Sequence, residues 1–130
     1  MYHEPVEELP QETRDITRAI VSMKEELEAI DWYNQRAAAT QDQELKNLLI
    51  HNRDEEIEHA SMLMEWLRRL IPAFDEELRT YLFTQGPIDT IEEQQAAAEE
   101  GGGNEASAES DAQTSTNKSN AGDLGIGKMK

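Results

Sequence analysis

Between residues 11 and 70 the apolar positions recur at alternating steps of three and four, the spacing that aligns side chains on one face of an α-helix. A first long helix is predicted to start near Gln11–Thr13 and to run to about Ala39. Ile16, Ile20, Met23, Leu27 and Ile30 form one stripe on it, and Ala19, Met23, Glu26, Ile30, Tyr33 and Ala37 form an adjacent one. Thr40 to Asp42 reads as a turn. Asp42, or Thr40 with Gln43 three residues later, supplies the side-chain oxygen that caps a helix start. A second long helix follows over residues 43–70, with one stripe of Leu45, Leu49, Asn52, Glu56, His59, Leu63, Trp66 and Leu70 and another of Ile57, Ala60, Met64, Leu67 and Ile71. Pro72 ends it or opens the next element. A short third helix is predicted over 73–83, with Phe74, Leu78, Tyr81 and Leu82 on its apolar side, and Gly86-Pro87 stops it.

The fold class is therefore all-α. Two long helices are too few to enclose a core, and each carries two seams. A hairpin of this kind is completed most cheaply by a second copy of itself, giving a four-helix bundle by homodimerisation.

The long stripe of the second helix has a polar break at its centre. Asn52, Glu56 and His59 stand where leucines are expected, and such groups are costly to bury without partners. The first helix has one matching break, Glu26. Carboxylate-bridged di-metal sites in four-helix bundles take a Glu from each of two helices and a Glu-x-x-His from each of the other two. Glu26 with Glu56-x-x-His59 is half of that set, and a symmetric dimer supplies the other half. The donors suit iron or manganese better than copper. The competing reading is a polar layer that fixes helix register, which Asn52 would also serve.

Other positions carry less. Glu55 and Glu58 read as a solvated face. Glu25 and Glu28 flank Glu26 and read better as an acidic inlet for cations. Trp32 and Tyr33 read as packing residues, with Tyr33 two turns beyond Glu26 on its seam. His3 and His51 read as surface residues, and Arg68-Arg69 as a solvated face or an inter-subunit salt bridge.

Charge and composition narrow the function. The 130 residues include 28 acidic and 12 basic side chains, a formal net charge of −16. Nucleic acid and anionic membrane surfaces are excluded as partners, since both require a basic face. There is no cysteine, so no disulfide, thiolate site or iron–sulfur cluster is available. No apolar run approaches the roughly 18 residues of a membrane span. Residues 1–10 are acidic, contain Pro5 and Pro10, and read as an irregular arm rather than a signal peptide. A cytoplasmic protein is expected. The helical domain spans 11–91. Residues 92–121 are rich in Glu, Gln, Ala, Gly, Ser, Asn and Thr and are expected to form a disordered linker. Residues 122–130 place Leu124 and Ile126 between glycines ahead of a basic end, the layout of a short docking peptide.

Several runs resemble the encapsulated ferritins, the two-helix, ferritin-like cargo proteins of encapsulin nanocompartments. These are Arg18 to Ser22, Glu25 to Tyr33, His51 to Glu56, Glu58 to Ala60, Glu65 to Arg69 and Arg79 to Thr84. The resemblance covers about residues 3–91 and the terminal peptide. It implies a ferritin-like antiparallel helix hairpin and a ferroxidase whose di-iron site forms between two subunits. Glu26, Glu56 and His59 would be its iron ligands, with Glu56 bridging. Glu25 and Glu28 would form the inlet, open to iron and to calcium or other divalent ions, and Trp32 and Tyr33 would lie near the centre. It further implies a ring-shaped homodecamer built from dimers, which oxidises iron and relies on the encapsulin shell for iron storage. Asp123, Leu124, Gly125, Ile126, Gly127 and Lys128 resemble the family's encapsulin-targeting peptide, although a Lys-Met-Lys end replaces the more usual Ser-Leu-Lys or Ser-Leu-Arg type. The rival readings are a rubrerythrin-like peroxidase, disfavoured by the lack of any cysteine for a rubredoxin centre, and a non-catalytic helical adaptor.

Overall fold

A computed structural model describes residues 2–101. They are helical throughout, with no strand among them: α1 (Gln11–Ala39), α2 (Gln43–Leu70), α3 (Pro72–Tyr81) and α4 (Ile91–Gly101), with single 3₁₀ turns at Val6–Glu8 and Ile88–Thr90. None of these helices is long and apolar enough to cross a membrane. The two long helices have the predicted bounds. Asp42 caps α2, its Oδ1 accepting the Leu45 N–H at 2.7 Å, and Thr40 Oγ1 accepts the Asp42 N–H at 3.2 Å. The turn is short enough to fold α2 back along α1, and the α1–α2 contact is the main packing interface among the described residues.

The inner seam of α1 is the one running through Glu26. Ala19 and Ala37 are buried at its ends, and Met23, Glu26, Ile30 and Tyr33 are half-buried between them. On α2, Ala60 and Leu67 are buried. Small residues at these points allow close helix approach, and Leu67 is the one large side chain that is fully buried among the described residues. Arg53 ties the helices together farther along, donating from Nη1 to Asn34 Oδ1 at 3.1 Å. The core is thin. Ile20, Leu27, Leu45, Leu48, Ile57, Met62 and Trp66 are all exposed. Of these, Ile20, Leu27, Leu45, Ile57 and Trp66 lie on the seams read from the periodicity.

The third helix begins one residue earlier and ends two residues sooner than predicted. Pro72 is its first residue, where the missing N–H is no loss and the fixed φ suits a helix start. A second correction concerns residues 92–101, expected to open a disordered linker. They are helical in α4. Alanine, glutamate and glutamine favour helix, and Glu92 and Glu93 lie in the first turn, where negative charge is stabilised. Ile91 anchors α4 by burial, and Gln95 Nε2 donates to the Thr80 carbonyl at 3.1 Å. The rest of the predicted linker and the 122–130 peptide lie outside the described residues. Arg14 of α1 holds the N-terminal arm, donating to the carbonyls of Leu9 (2.9 Å) and Val6.

Candidate metal centre

Antiparallel packing sets the middle of α1 against the middle of α2. Glu26 projects from one helix, and Glu56 and His59 project from the other. A spacing of three places Glu56 and His59 on one face, one turn apart. His59 Nδ1 lies 3.0 Å from Glu56 Oε2 and 3.6 Å from Glu26 Oε2. One donor atom from each of the three residues lies within 4.8 Å of the others.

Donors bonded to a single first-row ion at about 2.1 Å lie at most about 4.2 Å apart. The observed spread therefore closes with small side-chain rotations. Two carboxylates and an imidazole suit a hard or borderline divalent cation. The set is also incomplete. Three donors leave coordination positions open, and they sit on an open face: the side chains of Glu26 and Glu56 are 26% and 22% exposed, and that of His59 is 47% exposed. In the single chain His59 therefore lies on an open seam. Trp66, on the same stripe of α2, is also exposed.

Hydrogen bonding among the three groups shifts their proton affinities. The Glu26 carboxyl is pushed above the usual range, first by its hydrogen bond to Glu56 and then by burial. Glu56 is held below the usual range by that bond and by its bond to His59. His59 is raised above ordinary histidine, chiefly by its hydrogen bond to Glu56. A cation entering the triad takes over the stabilisation that these protons supply, so binding competes with protonation.

The structure gathers Glu26, Glu56 and His59 and no other predicted residue. Glu25 and Glu28 are exposed beside Glu26. Trp32 does not pack as expected. It is half exposed, with the Arg36 guanidinium 6.0 Å from its ring centre and 5.7 Å from that of Tyr33. Asn52 is half-buried and makes no hydrogen bond to any described residue. His51 is a surface residue, with Nε2 3.1 Å from Glu55 Oε1. Arg68, expected to face solvent or another subunit, instead pairs within the chain, with Glu65 at 2.7 Å and with Asp75. The periodicity of α2 alone gave no signal for that bond, because Asp75 lies beyond the bend at Pro72.

The chain belongs to the EncFtn-like family, whose profile matches residues 1–85. It is 52% identical over 128 residues to an encapsulated ferritin-like protein of Rhodospirillum rubrum, covering 98% of this chain and 86% of that one. It is 59% identical over 93 residues to a ferritin-like protein of Thermotoga maritima, covering 72% of this chain and 82% of the relative. A crystal structure of a Nitrosomonas europaea protein superposes with a TM-score of 0.65 at 64% identity, covering 67% of this chain and 96% of that one.

Proposed function

We propose that this chain is a ferroxidase that oxidises Fe(II) to Fe(III) with oxygen at a site completed by a second copy of itself. The observation that carries the reading is the convergence of Glu26, Glu56 and His59 on a half-open face surrounded by exposed apolar residues. Two copies meeting on that face bring four carboxylates and two imidazoles together, enough to hold two iron ions as substrate. Each ferrous ion supplies one electron to oxygen. The carboxylates stabilise the ferric product, and neutral His59 adds a nitrogen donor without adding charge. Glu25 and Glu28 draw cations toward Glu26 by their charge.

The names of the relatives support placing this chain with encapsulated, ferritin-like proteins. On this reading it is cargo of an encapsulin shell, held there by Asp123 to Lys128, and it assembles from dimers into a ring. Oxidation belongs to the helical domain and storage to the shell. The test is iron oxidation, followed at the ferric absorbance, by the wild-type protein and by Glu56→Ala, His59→Ala and His51→Ala variants. The first two should lose rapid oxidation, and the third should keep it. Wild-type rates in Glu56→Ala and His59→Ala would overturn the assignment.

A further inference from the structure

Where α2 ends and α3 begins, five charged side chains form an open ladder. Arg69 donates from Nε to Glu65 Oε1 at 3.1 Å. Glu65 also accepts from Nε and Nη2 of Arg68 at 2.7 Å each. Arg68 Nη1 reaches Asp75, and Asp75 accepts from Arg79 Nε at 2.9 and 3.0 Å. The order is Arg69, Glu65, Arg68, Asp75, Arg79, so three cations share two anions.

The inner guanidinium and the outer two differ. Arg68 is half-buried, with all three nitrogens engaged. Arg69 and Arg79 each commit only Nε, and their Nη groups have no acceptor among the described residues. Both are largely exposed, and both line one notch together with Arg68, Pro72 and Asp75. At the same corner α3 starts with no side-chain cap, and the N–H groups of Ala73 and Phe74 have no acceptor among the described residues. The carbonyl end of α2 lies there too, so the helix dipoles largely offset each other and the surplus donors are the guanidinium Nη groups and the two amides. This surplus of positive charge occurs in a chain of net charge −16.

The geometry points to a binding site for a tetrahedral oxyanion of the phosphate class, held between Arg69 and Arg79 at the notch beside Pro72. Bound there, the anion closes the ladder into a ring in which cations and anions alternate. The planar fork of arginine matches a tetrahedral oxyanion through paired N–H bonds. Glu65 and Asp75 do not prevent this, because each is already shared between two guanidiniums. Free phosphate and a phosphomonoester on a larger molecule offer the same chemistry.

The experiment is a phosphorus NMR titration of the full metal-free chain at low ionic strength, with inorganic phosphate in one arm and glycerol 3-phosphate in the other. Wild type is compared with Arg69→Gln, Arg79→Gln and Arg18→Gln, the last removing an arginine that pairs with Asp15 on α1. Saturable binding is expected in wild type, weakened about tenfold or more in the first two variants and unchanged in the third. Tighter binding in the first arm identifies free phosphate, and tighter binding in the second identifies a phosphomonoester. No saturable binding in either arm, or equal weakening in Arg18→Gln, overturns the site. Should a variant misfold, the wild-type amide resonances of Ala73 and Phe74 decide: they should shift on phosphate addition, and unmoved resonances overturn the site.

Discussion

Leu67→Ala tests the packing of the chain that carries Glu26, Glu56 and His59. Leu67 is 0% exposed in a core whose other buried members are three alanines and Ile91. Truncating a buried leucine removes its transfer free energy and leaves a cavity, together about 2.7–5 kcal/mol. A fold of this size has about 5–15 kcal/mol in total. With a urea slope of about 1–3 kcal/mol per molar, the unfolding midpoint should fall by roughly 1–5 M. The assay is urea denaturation followed by circular dichroism at fixed chain concentration, because association adds stability by mass action. Leu67→Met keeps the volume and should lose less than about 1.5 kcal/mol. Leu67 lies eight residues beyond His59, about 12 Å along the helix, so below the transition the alanine variant should bind divalent metal as wild type does. A Leu67→Ala midpoint within about 0.3 M of wild type would refute the view that the burial of Leu67 carries a substantial share of the fold's stability.

Acid should loosen the bend between α2 and α3. Arg68 and Arg69 hold Glu65 down at about 2, and Arg79 and Arg68 depress Asp75. A depressed carboxylate contributes stability above its unfolded value, 4.5 for Glu65, and that contribution is lost as pH falls toward 2. Solvent exposure of the pairs screens the effect and keeps it small. Fluorescence of Trp66, adjacent in sequence to Glu65, should change over that window in wild type and much less in Glu65→Gln, and identical profiles would remove the pairs from the account. Deleting residues 122–130 should abolish co-purification with an encapsulin shell protein while leaving iron oxidation intact, and unchanged encapsulation would refute the targeting role.

The long helices and their cap were legible because the three-four periodicity runs almost unbroken from Ile16 to Leu70 and Asp42 stands at the one gap. The candidate site was legible for the same reason, since Glu26, Glu56 and His59 interrupt apolar seams that would otherwise be continuous. Helix α4 was not legible. Its residues carry helix propensity without an apolar face, and one anchor, Ile91, decides its docking. The Arg68–Asp75 pair was hidden by the bend at Pro72, which turns residues seven apart toward each other. The exposure of His59 follows from a limit that no pattern within one chain removes: its seam faces outward until another surface meets it.

Native mass spectrometry of protein loaded anaerobically with ferrous iron tests the shared site most directly, because it counts chains and metal ions in one particle. The account predicts iron only on species with an even number of chains, at about one ion per chain, and loss of that iron in Glu56→Ala. Iron held tightly by single chains, or dimers that carry none, would contradict it.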